Sequence, residues 1–187
     1  MEQLSRKTIN ILIAALAALV LVIILISVFA SANNTMVRKE ETVNTSVSNI
    51  SKEEQRRVDL FNNLVDAVQS YNKFEQATLE KVIQARQQAN GGQIENAQLT
   101  LAAVVEQYPQ LKSQENYKQA MLEFSITENR LAAYREQYNT DVKEYNQASR
   151  TFPRSMILGI MGYERKDYKY LDYNVDNTQA RDLFGDE

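Results

Sequence analysis

The sequence predicts an all-α protein, with an N-terminal transmembrane helix followed by an antiparallel bundle of three to four long helices. Three observations lead there. Residues 11–30 form an unbroken apolar run in which Ser27 is the only polar side chain. The 187 residues include only five Gly and two Pro, and these are clustered, which leaves long stretches without a helix breaker. Between the breakers, apolar residues recur mostly at three- and four-residue steps, the period of one helix face.

The anchor comes first. Twenty residues rise ~30 Å at ~1.5 Å per residue, the thickness of a bilayer's hydrocarbon core. A soluble helix of that length usually keeps a polar stripe, whereas this one is apolar all round. Ala30-Ser31-Ala32 resembles a signal-peptidase site, but the apolar run exceeds the ~7–15 residues of a cleaved signal, so the anchor is expected to be retained. Residues 1–10 are then a short N-terminal tail. Arg6 and Lys7 lie closer to the run than Arg38 and Lys39, which Glu40 and Glu41 follow. This asymmetry places the amino terminus inside a cell membrane and the domain on the extracytoplasmic side of a single-pass protein.

Residues 34–163 make the bundle domain. The first helix is expected over about 35–89, and the Ser-, Asn- and Thr-rich stretch 46–51 leaves open whether it is continuous or bends or breaks there. Phe61, Leu64, Val65, Val68, Tyr71, Phe74, Leu79 and Val82 form its apolar stripe. Gly91-Gly92 ends it, a short helix follows over 94–107, and Pro109 makes the next turn. A long helix is expected over about 113–149, with Ser113 as its N-cap. Asn116 stands where a full capping box would place Glu or Gln. The stripe of this helix is Tyr117, Met121, Phe124, Leu131, Tyr138, Val142, Tyr145 and Phe152, interrupted at Thr127-Glu128-Asn129-Arg130. Tight turns make successive helices neighbours, which pairs the 61–82 stripe with the 117–145 stripe in a coiled-coil-like seam. Residues 164–187 read as a Tyr-rich, acidic, mobile tail ending in Asp182, Asp186 and Glu187.

Composition excludes much chemistry. The chain has 21 basic and 24 acidic residues, a net charge of −3, without the basic face that nucleic-acid binding requires. It has neither Cys nor His, which removes disulfides, thiolate and Ser-His-Asp catalysis and imidazole-metal sites. Glu75, Glu80, Glu123 and Glu128 invite comparison with di-iron bundles, but those also need a Glu-x-x-His pair on each of two helices. Carboxylates scattered on long helices are ordinarily a solvated face. No cofactor, metal or catalytic residue is expected.

The order of motifs resembles the LemA family of bacterial membrane-anchored helical proteins. Asn34-Thr35-Met36-Val37 and Val47-Ser48-Asn49-Ile50 precede Gln55-Arg56-Arg57-Val58-Asp59-Leu60 and Asn63-Leu64-Val65, with Tyr71 and Glu75 further on. Then come Leu79-Glu80 with Val82 and Ala85-Arg86, Tyr108-Pro109 with Leu111-Lys112, and Thr127-Glu128-Asn129-Arg130-Leu131-Ala132. Tyr138-Asn139, Val142 and Tyr145-Asn146 lead to Phe152-Pro153. The family commonly has a Trp near Val47 and a Pro near Asn62, and this chain has neither. The resemblance implies a single anchor and an antiparallel helical bundle, with no established biochemical activity and no agreed site residues.

Two segments are candidates for function. The polar insertion 127–130 is either a buried functional site or, on the simpler reading, a network that fixes helix register with Arg56, Arg57 or Asp59 as partners. Further on, Met156, Ile157, Leu158 and Met161 make an apolar patch followed by Tyr163, Tyr168 and Tyr170. It suits a partner surface or membrane interface, unless it folds back to cap the bundle. The reading is a membrane-anchored interaction or scaffold module of the bacterial cell envelope that contacts lipid through 11–30 and another membrane or envelope protein through 156–170. Its oligomeric state is left open. The alternative is a ligand- or stress-sensing ectodomain relaying through a separate membrane partner.

Overall fold

A computed structural model describes residues 6–71 and 73–172. The expected residues 1–5 of the N-terminal tail and 173–187 of the acidic tail lie outside the described residues. The order is α1 (Arg6–Gln69), α2 (Gln76–Asn90), α3 (Ile94–Gln107), a 3-10 turn (Pro109–Ser113), α4 (Glu115–Arg150) and α5 (Arg154–Ile160). The fold is all-α, a long N-terminal apolar helix followed by packed helices.

Helix α1 runs on from the apolar segment and passes through 46–51 without interruption, where the sequence leaves a bend or break open. Thr35, Thr42 and Ser51 each donate a hydroxyl proton to the carbonyl four residues earlier, at 2.7, 2.9 and 3.1 Å. Those hydroxyls are satisfied inside the helix, so they do not compete with its ladder. The break falls instead at residues 70–75, which contain neither Gly nor Pro. There Tyr71, Phe74 and Tyr108 form a cluster of edge-on rings with centroids 4.9–6.1 Å apart. The Tyr71 hydroxyl donates to the Gln110 amide oxygen at 2.6 Å. Long-range packing turns the chain here.

The described chain forms two compact units, 46–138 with 171–172, and 6–45 with 139–170. In the first, α2 and α3 pack together across the Gly91-Gly92 turn. Gly92 has φ 77°, a left-handed conformation that favours glycine, and the Gln93 amide returns to the Gln88 carbonyl at 2.8 Å to close the helix end. The core gathers Phe61, Leu64, Val65 and Val68 of α1, Val82 and Ala85 of α2, Leu101, Val104 and Val105 of α3, and Phe124 of α4. Phe61 meets Phe124 edge-to-face at 5.7 Å, so the 61–82 stripe pairs with the first part of the α4 stripe. Ser113 does not cap α4, because its hydroxyl donates to the Gln110 carbonyl inside the 3-10 turn.

In the second unit, Ala32, Met36 and Val43 of α1 are buried, as are Val142, Tyr145 and Ala148 of α4 and Ile157 and Leu158 of α5. The later buried members of the α4 stripe thus belong with residues just past the anchor, not with the 61–82 stripe, and Phe152, expected at the end of that stripe, lies beyond α4 and is 75% exposed. Residues 11–26 of α1 leave their large apolar side chains exposed. Among the described residues, α1 is the one helix long and apolar enough to cross a membrane.

Phe124 is 4% exposed and meets a fully buried ring. Phe124→Ala is expected to cost ~3–5 kcal/mol, read by denaturant unfolding. A cost near that of a surface change would mean that Phe124 is not a core residue.

Candidate functional site

The polar interruption at 127–130 resolves into a clamp on Arg57. The Arg57 guanidinium donates to both Glu128 oxygens, with Nη2 to Oε2 at 3.0 Å, and its Nη1 donates to Glu95 Oε1 at 3.0 Å. One α1 side chain therefore ties α3 to α4. The Arg57 side chain is only 11% exposed, so the charge is desolvated and requires these acceptors. Burial alone would lower the Arg57 pKa, but the two carboxylates raise it. The Glu95 carboxyl, which burial would raise, is held below its ordinary value by its own backbone N–H and by Arg57. Arg130 pairs with the buried Glu53 at 3.3 Å, and Arg135 with Glu54 at 3.1 Å. Of the three expected partners, Arg57 takes this role, while Asp59 accepts from the Gln55 amide instead. Thr127, 1% exposed, completes the buried stripe.

Beside the clamp lies a groove of about 320 Å³ between α1, α3 and α4. Phe61, Leu64, Leu101 and Phe124 are its buried floor, and Tyr117 and Met121 are half-buried along it. Glu106, Lys112, Glu128 and Asn129 supply polar groups. Burial raises the Tyr117 phenol above its ordinary pKa. The sequence places Tyr117, Met121 and Phe124 in the apolar stripe of this helix, with no opening expected beside them. The groove stays open where Ala102 and Ser125 line it, because neither side chain is large enough to fill the space. Two small residues among large ones was the only signal in the sequence, and it is a weak one. The volume is at the lower limit of ~300 Å³ for small-molecule sites, and it suits a few side chains better than a cofactor. Among the described residues, no group of three or more acidic side chains is placed to hold a metal ion.

The second predicted segment divides by burial. Ile157 and Leu158 are buried at 8% and 4%, and Tyr163 and Tyr168 are half-buried. Met156, Met161 and Tyr170 are exposed. Inward packing brings a polar cluster together. Tyr163 donates to Glu40, Lys166 Nζ pairs with Glu40 at 2.7 Å, and the Tyr145 and Tyr163 hydroxyls meet at 3.0 Å. The Lys166 amide donates to the Tyr145 hydroxyl at 2.8 Å, and the Tyr168 ring stands edge-on to Tyr145 at 4.9 Å. Residues 163–168, which the sequence assigns partly to the tail, are thus fastened to α1 and α4. Burial would raise the Glu40 carboxyl, but hydrogen bonds from Lys166 and Tyr163 and the Lys166 charge hold it below the ordinary 4.5. Burial, followed by the bond to Glu40, pushes the Tyr163 phenol well up. Both groups keep their charge states through neutral pH, which suits a latch and not proton transfer.

A sequence model of the LemA family matches residues 46–181. Magnetosome protein MamQ of Magnetospirillum gryphiswaldense is 38% identical over 80 residues, 43% of this chain and 29% of that protein. Magnetosome protein MamQ 1 of Paramagnetospirillum magneticum is 39% identical over the same shares. Protein LemA of Metamycoplasma hominis is 27% identical over 137 residues, 67% of this chain and 63% of that protein. The chain spans less than a third of the MamQ proteins and under two thirds of that LemA protein.

Truncating the clamp is expected to cost about 1–3 kcal/mol for Arg57→Ala, between the values for exposed pairs and fully buried ones. Arg57→Met, which keeps the packed stem, should cost less. Denaturant unfolding of the two variants checks the order. The latch has its own pH signature. In the unfolded chain Glu40 binds a proton at its ordinary pKa, above the native value, so its contribution is complete above about pH 4.5 and is lost as pH falls through the lowered native value. The protection of amides 163–168 relative to their intrinsic exchange rates should therefore fall at acid pH, and Glu40→Gln should remove much of that dependence.

Proposed function

We propose that this chain, which belongs to the LemA family, is a membrane-anchored scaffold that binds another membrane or envelope protein through the groove between α1, α3 and α4. It is a membrane-associated, non-enzymatic protein, and the anchor at 11–30 keeps the helical domain at the membrane. The carrying observation is the groove itself, with an apolar floor and a charged rim beside a clamp that holds its walls. Such a surface receives an amphipathic helix, whose apolar residues enter the floor while its polar ones meet Glu106, Lys112 and Asn129. Aromatic and Met side chains are enriched in interface cores, and Phe61, Tyr117, Met121 and Phe124 provide them here. The partner contact thus moves from 156–170, where Ile157, Leu158, Tyr163 and Tyr168 already have inward partners, to the groove. The domain lies on the extracytoplasmic side, as the position of Arg6 and Lys7 supports.

A photo-crosslinking side chain at position 121 should yield a discrete adduct with a membrane or envelope protein in whole cells. Ala102→Trp, which fills the groove, should abolish that adduct while the helical content is unchanged. An adduct undiminished by the filled groove would sink this reading. Protease added to intact spheroplasts should digest the domain, whereas protection until lysis would reverse the orientation.

A further inference from the structure

Helix α5 carries apolar side chains on more than one face. Ile157 and Leu158 point into the unit, while Phe152, Met156 and Ile160, at steps of four residues, are 75%, 56% and 67% exposed. No charged residue occurs from Ser155 to Gly162. A helix apolar all round belongs in a core or in lipid, and these three side chains are not in a core.

The position of α5 along the anchor selects between water and lipid. Within the same compact unit, a shallow notch of about 400 Å³ is lined by Ile23, Ile24 and Val28 of α1 together with Pro153, Arg154 and Ile157. Ile23, Ile24 and Val28 are themselves 54%, 56% and 41% exposed, as lipid-facing side chains are. Residues 23–30 cover ~12 Å at ~1.5 Å per residue, so α5 sits beside the last part of the apolar run. A side chain exposed at that depth is exposed to the same medium as the anchor.

We propose that α5 and the turn at Phe152 and Pro153 enter the bilayer leaflet from which the anchor emerges, with Phe152, Met156 and Ile160 in its acyl region. Part of the backbone of this stretch is already satisfied internally, as hydrocarbon requires of the N–H groups that enter it. Ser155 donates to the Thr151 carbonyl at 3.0 Å, Ile157 to Pro153 at 3.3 Å and Met161 to Ile157 at 3.0 Å. Gly162 donates to Gly159 at 3.2 Å and Tyr163 to Leu158 at 3.0 Å, and Pro153 has no N–H to satisfy. Arg154 directs its guanidinium to the Ala148 carbonyl at 3.4 Å, back along α4, and Arg165 follows the apolar stretch. Both can reach the headgroups on their long stems. The chain then grips the membrane at two points.

This rests on residues 11–30 spanning the membrane and is independent of any partner in the groove. Because the chain has no Cys, single labels can be placed without background. Met156→Cys and Ile160→Cys would each carry a nitroxide in the full chain, reconstituted in vesicles of phosphatidylethanolamine and phosphatidylglycerol. Ile24→Cys is the lipid reference and Leu122→Cys, at an exposed position of the other unit, the water reference. The ratio of collisions with oxygen to collisions with a water-soluble nickel chelate should match Ile24→Cys and exceed Leu122→Cys several-fold. A ratio equal to that of Leu122→Cys puts α5 in water and overturns the proposal. Protection from both reagents means that protein covers it, and overturns it too. If Ile24→Cys itself reports water, the anchor reading falls and takes the proposal with it, a failure distinct from the other two.

Discussion

The packing of the 46–138 unit depends on a buried positive charge. Arg57 is largely withdrawn from water, and a desolvated guanidinium is tolerable only where carboxylates meet it in good geometry. Glu128 meets it with both oxygens and Glu95 with one, and the three residues come from three different helices. Sliding α1, α3 or α4 by one turn, ~5.4 Å, would leave the charge unmatched. Apolar stripes alone would tolerate such a slip, since one Leu or Val replaces another at little cost. The clamp therefore specifies the register, and the register sets which side chains face each other across the groove. The apolar core contributes more of the stability. Phe61 and Phe124 each bury a large ring, and complete burial of such a side chain is worth ~1.5–3 kcal/mol.

A second latch works by the same rule where the C-terminal segment folds back. Glu40 accepts from Tyr163 and Lys166, while the fully buried Tyr145 offers its hydroxyl to Tyr163 and to the Lys166 amide. Here too a charge with few water contacts fixes one arrangement of apolar neighbours. The consequence is positional, because fastening 163–168 holds the start of α5, at Pro153, Arg154 and Ile157, beside the end of the apolar run. Scaffolding suits such a molecule. The clamp and the latch commit their polar groups to one another, and the apolar floor of the groove can be covered by a partner without displacing a reactive group.

Much of this was legible from residues alone, and the reasons are local. Twenty residues without a breaker, all apolar but Ser27, specify a membrane-crossing helix by length and solvation. Gly91-Gly92 marked a helix end because a left-handed φ is easy only for glycine, and α3 emerged over 94–107 as the turn chemistry indicated. Helical periodicity identified Phe61, Val82, Phe124, Val142 and Tyr145 as buried. The absence of His and Cys limited the chemistry before any fold was known. Pairing was legible only as a short set of candidates. Arg57 was one of three, and nothing in the sequence separates it from Arg56, since which of two adjacent arginines turns inward depends on the helical phase of the finished bundle.

By itself, then, the sequence determined the helices, the anchor and the stripes, all of which follow from solvation and backbone preferences within a few turns. Tertiary structure alone decided where α1 stops, because the Tyr71, Phe74 and Tyr108 cluster brings together residues more than thirty positions apart in the chain. It also decided that Ser- and Thr-rich 46–51 stays helical, that the α4 stripe is shared between two units, and that small Ala102 and Ser125 leave a groove. The physical reason is common to all four. Each depends on how closely side chains from distant segments approach, and a linear pattern of apolar and polar residues carries no distances.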